Sequence, residues 1–307
     1  TQGSYGAAAG ISKALGLDAY QTANAIAIAG TAFNALRVTR TGELSHWKGL
    51  AYPNTGFGAT HAAFLAMRGI SGPPEVFEGN KGFMDSIAGP FEMDWSREDL
   101  ERANRTIIKK YNAEIHSQSA IEGLLELQAE HGFAAAAVDR LQIDIFDVAY
   151  HIIGGGEEGD KTVVRTKEEA DHSLHYMVSV ALLDGQVMPE QYDPQRIVRD
   201  DVQALLRKVK VRPDDGFTAR FPEELPCRAQ VALHAADTLA VEKRDYEGFH
   251  TRPMTWETVV GKFESLSTPY TDKSLRSEIK EAVAELESIP VSDLAGLLAQ
   301  VRQPAEA

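Results

Sequence analysis

Small and apolar residues recur at helical spacing over 4–36, SYGAAAGISKALGLDAYQTANAIAIAGTAFNAL, which predicts two helices broken at Gly16-Leu17-Asp18. So much Ala and Gly implies that the helix axes approach closely. The same character returns over 56–67 and ends at Gly69 and Gly72-Pro73-Pro74, the usual punctuation of a helix C-terminus. Ser96-Arg-Glu-Asp99 has the pattern of a capping box ahead of a helix running to Lys110. The first 110 residues therefore predict helix packed on helix.

After His131 the period changes to two. Leu141, Ile143 and Ile145 alternate with Gln142 and Asp144, a half-buried strand, and similar alternation marks Val209/Val211, Phe217/Ala219/Phe221, Val231/Leu233 and Leu239/Val241. Residues 167–183 and 201–206 look helical between them, and the helical period resumes over 274–301. Gly154-Gly155-Gly156 lacks the spacing of a phosphate-binding loop and opens no helix, so it is a loop. The expected fold class is α + β: a mainly helical domain (1–110), a smaller α+β domain (111–271), and C-terminal helices (272–307) returning to the helical domain.

Composition narrows the function classes. Forty-five acids against 31 bases in 307 residues give a net charge of −14, and no Lys/Arg-rich run offers a face to nucleic acid. No apolar run is long enough to span a bilayer, so no membrane partner is expected. A single cysteine, Cys227, allows neither an internal disulfide nor a thiolate cluster, and a reducing cytoplasm is the expected location. TQGSYGAAAG has neither a basic-then-apolar leader nor an initiator Met and opens within a helical region, so a C-terminal fragment of something longer is expected.

Three segments carry candidate chemistry. Lys48 stands ahead of the small-residue helix, where an ammonium and a helix start together would hold a carboxylate; a lysine lying along the surface is the plainer alternative. Lys109-Lys110 runs into YNAEIHSQSAIEGLLELQ, in which Glu114, His116 and Gln118 make a polar patch denser than packing needs, although lysines at a helix C-terminus also suit its dipole. In EEADHSLHYMVSVALLDG, His172, His175 and Tyr176 fall on one side of a predicted helix. His172 and His175 lack a third ligand nearby, and no metal site is expected.

Taken in order, GSYGAAAGISKALGLD, ALRVTRTGELSHWKGLAYPNTGFGATHAAFLAMRGISGP, IIKKYNAEIHSQSAIEGLLEL and DHSLHYMVSVALLDG resemble blocks of the MmgE/PrpD family, and the resemblance covers nearly the whole chain. TGELSHWKG and KKYNAEIHSQS are most similar to its 2-methylcitrate dehydratase branch. The resemblance implies a helical domain and a smaller α+β domain with the active site in the cleft between them. It also implies a homodimer and metal-independent, cofactor-free loss of water from a tricarboxylate. On it, Lys48 and Lys109 match active-site lysines, with Lys110 as the register alternative for the second, and Tyr176 matches an active-site tyrosine. Tyr176 and His116 are then the acid–base candidates, and Lys110, Glu114, Gln118 and His172 the candidates for substrate contact. The family's Asp-rich motif and active-site histidines would lie before Thr1. Alternatives on the same scaffold are a decarboxylase, an epimerase, or a non-catalytic interaction module.

One cysteine cannot hold an iron–sulfur cluster, and two lysines would supply the charge that a metal would bring. Dialysis of an active preparation against a strong chelator should therefore leave turnover of 2-methylcitrate unchanged. Loss that returns only with one particular ion would refute the lysine-based chemistry.

Overall fold

Three helices rich in Ala and Gly pack against one another in the computed structural model, which describes residues 3–40, 44–234 and 238–302. They are α1 (Gly3–Ala14), α2 (Ala19–Ala32) and α3 (Trp47–Met67). Gly16, left-handed at φ +70°, follows α1, and Asp18 starts α2 by a capping box in which its carboxylate accepts from the Gln21 N–H at 2.8 Å. The predicted break is thus in place. The core between the helices is built of alanine, with Ala8, Ala25, Ala29, Ala59, Ala62, Ala63 and Ala66 buried. Two glycines permit the close approach: a Cβ on Gly58 would collide with the Phe33 ring, and one on Gly30 with the Tyr5 ring.

The helix expected after Ser96 is not there. Asp94 instead caps a three-residue turn, Trp95–Arg97, and the Glu98 carboxylate takes the Leu100 N–H (3.0 Å) and Arg102 Nε (2.6 Å). The Asp99 carboxylate likewise takes the Glu101 N–H at 3.0 Å, and Leu100 adopts a left-handed φ of +62°. Acids that capture backbone N–H groups two residues on compete with helix formation, and WSREDLERANR offers no apolar face to outweigh them.

These residues, through Ala103, form one compact unit with Gly156–Asp160; Asn104–Gly155 and the chain from Lys161 onward form the other. The second unit is built on a four-stranded sheet in the order β2-β1-β3-β4: β1 (Val138–Ile145), β2 (Val209–Pro213), β3 (Cys227–Leu233) and β4 (Leu239–Lys243). β1 and β2 are parallel, pairing Leu141 with Val209 and Ile143 with Val211, while β3 runs antiparallel to both β1 and β4. A parallel neighbour needs a crossover. That crossover carries α5 (Asp147–Ile153), α6 (Lys167–Ala170), α7 (Leu174–Asp184), α8 (Pro194–Ile197) and α9 (Asp200–Leu206). Before the sheet comes α4 (Gln118–His131), which packs on α7, β3 and β4.

Two expectations over this unit are corrected. The alternating Phe217/Ala219/Phe221 is not a strand: Asp214 caps a short helix, α10 (Asp215–Thr218), accepting from the Phe217 N–H at 2.9 Å. Phe217 and Phe221 are four apart, a spacing that satisfies the helical period and the strand period alike. The expected helix over 167–183 is broken between α6 and α7, because the Ser173 hydroxyl caps α7 by accepting from the Tyr176 N–H at 3.1 Å. His172 therefore lies outside the helix that carries His175 and Tyr176. The terminal helices α11 (Trp256–Ser267), α12 (Lys273–Ala284) and α13 (Val291–Leu298) group with the second unit.

Gly58 and Gly56 lie two residues apart on α3 in opposite surroundings, one against Phe33 and the other with open space where a Cβ would sit. Gly58→Ala should lower stability by about 1–3 kcal/mol through overpacking. Gly56→Ala should raise it by up to about 1 kcal/mol through helix propensity. Denaturant unfolding of both variants checks this; equal effects would show that α3 does not approach its neighbours as closely as described.

Candidate functional site

Lys48, expected ahead of the small-residue helix, occupies the first turn of α3 and is half-buried; its N–H bonds to the Ser45 carbonyl at 3.0 Å. His46 precedes the helix without a side-chain cap, so no side chain competes for that first turn from the N-cap position. Beside it lies a cavity of ≈ 280 Å³ lined by Phe33, Asn34, Trp47, Ala51, Asn54 and Thr55 among others. A larger one of ≈ 350 Å³ touches Tyr5, Asn34, Lys81 and Ser86. Lys48 lines neither cavity, and cavity size alone does not locate the chemistry of this unit.

In the second unit the polar patch is organised around carboxylates. Glu114 is buried where a short turn, Ile115–Ser117, leads into α4, and its carboxylate takes the His116 N–H at 2.8 Å. The same carboxylate lies 2.9 Å from His116 Nδ1, an ion-pair distance although the alignment is not that of a ring N–H hydrogen bond. Burial favours the protonated acid, but the adjoining His116 side chain, then the charge of His172 and the His116 backbone N–H, outweigh it and hold the Glu114 carboxyl below its ordinary range. The His116 ring is fixed edge-on to Phe146 and Phe221, at 5.4 and 5.9 Å, and these two rings stack on each other at 4.4 Å. His172 repeats the motif, with Nδ1 2.7 Å from Asp171 Oδ1. Each imidazole thus has a carboxylate beside Nδ1, hydrogen-bonded at His172 and at ion-pair distance at His116.

The lysine pair divides. Lys110, the register alternative, has Nζ 3.2 Å from Glu122 and 2.8 Å from Glu247, so its charge is matched inside the protein. Burial works against the Lys110 ammonium, yet Glu247 and Glu122 raise its pKa overall. Lys109 is exposed, with no carboxylate partner among the described residues. Glu122 is the hub of this cluster: Lys243 and Arg252 each stand 2.9 Å from Oε2, and the Glu247 N–H donates to Oε1 at 3.1 Å. Its own burial would raise its pKa, but Lys243, that N–H and Arg252 bring it down to about 2. Gln118, expected to contact substrate, is fully buried; its amide accepts from the Tyr111 N–H (2.9 Å) and donates to the Tyr111 carbonyl (3.2 Å). It braces the lysine segment instead.

Tyr176 is the other acid–base candidate. It is fully buried in the core of the second unit, its hydroxyl donates to the Gln191 carbonyl, and burial pushes its phenol well above the usual range. A phenol with its proton committed to a backbone carbonyl packs the core rather than transferring that proton. Among the described residues no group of three or more His, Cys, Asp or Glu side chains could hold a metal ion. Sequence reasoning missed Asp171, although it adjoins His172 in the DHSLHY block. It also missed Glu122, whose partner Arg252 lies 130 residues away and gives no local signal.

Comparison with known proteins bears on both units. Residues 1–96 match the MmgE/PrpD N-terminal domain and residues 111–288 the MmgE/PrpD C-terminal domain. The match at 1–96 corrects the expectation of a C-terminal fragment lacking the family's N-terminal portion, since that domain is represented. The chain is 24% identical over 302 residues to the cis-aconitate decarboxylase of Mus musculus, covering 94% of this chain and 58% of that protein. It is 26% identical over 247 residues to the 2-methylcitrate dehydratase of Escherichia coli K12, covering 76% and 49%, and 25% identical over 241 residues to that of Cupriavidus necator, covering 75% and 48%. The chain thus spans about half the length of the curated relatives it matches.

Glu114 and Glu122 have folded-state pKa values below their unfolded ones, so the stability they contribute is present above about pH 4.5 and lost as pH falls toward about 2. Glu122→Gln should flatten that acid loss. At neutral pH it should lower stability by about 1–3 kcal/mol, because Lys243, Lys110 and Arg252 lose their shared partner while each keeps a second carboxylate. Thermal unfolding across this pH window measures both; a variant with the wild-type acid slope would rule out Glu122 as the source.

Proposed function

We propose, starting from the fact that the chain belongs to the MmgE/PrpD family, that it is a lyase forming a carbon–carbon double bond in a tricarboxylate, with 2-methylcitrate as the leading substrate. The observation that carries this reading is the pair of carboxylate-held imidazoles, His116 with Glu114 and His172 with Asp171. Dehydration moves two protons. A base takes the proton α to a carboxylate as the C–H bond breaks, and an acid protonates the β-hydroxyl so that water leaves. The α-proton is weakly acidic because its removal adds charge to a group already negative, and cations must meet that charge. Lys48 and Lys109 are assigned this role. Glu114 and Asp171 orient the rings and stabilise them when they are protonated.

Decarboxylation is the second reading. It is favoured by the similarity to cis-aconitate decarboxylase, which extends over 94% of this chain. There the carbanion arises as a C–C bond breaks to release CO₂, and one imidazole delivers a proton to carbon. The same lysines serve either route.

Purified full chain should be assayed on 2-methylcitrate, citrate and cis-aconitate, following both alkene formation and CO₂ release. Lys48→Ala, Lys109→Ala and His116→Gln should each lower kcat by about 10²-fold or more, as loss of a preorganised charge or proton-transfer group does. Tyr176→Phe should instead act mainly on stability, by about 1 kcal/mol, through its lost hydrogen bond. Near-normal turnover in the lysine and histidine variants would overturn the assignment.

A further inference from the structure

Lys109 has a like-charged neighbour brought from far along the chain. Lys262, on α11, donates from Nζ to the Lys109 backbone carbonyl across 153 residues of sequence. Lys262 is half-buried and Lys109 exposed, and among the described residues neither ammonium has a carboxylate partner. This is unusual in a chain with 45 acids and 31 bases, and adjoining Lys110 is paired with two carboxylates.

The approach is held by a second link. Thr258, one helical turn before Lys262, donates to Glu247 Oε1 at 2.8 Å, and Glu247 Oε2 holds Lys110 at 2.8 Å. Acids therefore anchor α11 to the lysine segment while leaving Lys109 and Lys262 uncompensated. Burial, and after it the charge of Lys109, lowers the Lys262 pKa. One of the three Lys262 N–H groups meets the carbonyl, and two remain for a ligand.

We infer that Lys262 and Lys109 form an anion subsite that takes a carboxylate of the substrate, with Lys262 a substrate-binding residue. The inference rests on the proposed function for the identity of that anion. A carboxylate placed between the two side chains removes their repulsion and gains charge-assisted hydrogen bonds from both.

The test separates charge from scaffold. Lys262→Gln keeps an amide N–H for the Lys109 carbonyl but removes the charge, and Lys262→Arg keeps both. Tricarballylate, with three carboxylates and no hydroxyl to lose, is titrated calorimetrically into the full chain. Lys262→Gln should bind it about tenfold more weakly with an unchanged melting temperature, and Lys262→Arg should bind within about threefold of wild type. Wild-type affinity in Lys262→Gln, or no binding of tricarballylate by the wild-type chain, would overturn the inference. Turnover of 2-methylcitrate by the same preparations keeps the two questions apart. Turnover with binding that ignores Lys262 sinks the subsite alone. Lys262-dependent binding without turnover of any tricarboxylate leaves the subsite standing and sinks the lyase reading alone.

Discussion

A single buried carboxylate holds the second unit's polar machinery in place. Glu122, on α4, gathers Lys110 from the segment ahead of it, Lys243 from β4 and Arg252 from the loop beyond, with the Glu247 N–H as a fourth donor. An acid taken out of water alone would be strongly destabilising, and these three cations, each with a second carboxylate of its own, keep it ionised. The consequence reaches the candidate site, because Lys110 is tied inward and its neighbour Lys109 is left on the exposed side. Two lysines that are equivalent on paper thereby receive different tasks.

Elements whose pattern has one physical reading were legible in the chain. The alanine-rich helices could be read because only close helix packing uses so many small residues. β1 was legible because Leu141, Ile143 and Ile145 bury one face of a strand and nothing else. Failure came where two periods coincide, as at Phe217 and Phe221, or where local capture of backbone N–H groups by acids defeats a helix, as at Asp94, Glu98 and Asp99. His116 and His172 could be found from their neighbours Glu114 and Asp171. The Glu122 hub and Lys262 could not, since apart from Lys110 their partners are more than 100 residues away and only the fold brings them together.

The electrostatics of the candidate residues form a consistent pattern. Glu114 stays ionised despite burial, so its charge can stabilise a protonated imidazole beside it. The aromatic pair Phe146 and Phe221 fixes the His116 ring without adding a polar group that would compete for it. Positive charge is abundant nearby, but most of it is matched by internal acids. The unmatched share, at Lys109 and Lys262, is what an anionic substrate would meet, and on a chain of net charge −14 such a site stands out against its background.

Dehydration and decarboxylation differ in how many protons the protein must handle, and this difference weighs the two readings. Both pass through a carbanion beside a carboxylate, and the lysines answer that charge in either case. Loss of CO₂ leaves a carbanion that needs one proton, so one oriented imidazole suffices. Loss of water needs a base at carbon and an acid at the hydroxyl. These must be in opposite protonation states at the start of the reaction, which two separately held rings can satisfy and one cannot. His116 and His172 have separate carboxylates, Glu114 and Asp171, and the charge of His172 still reaches Glu114. That division of labour supports dehydration as the first reading, with decarboxylation available to the same scaffold wherever a substrate has no β-hydroxyl to lose.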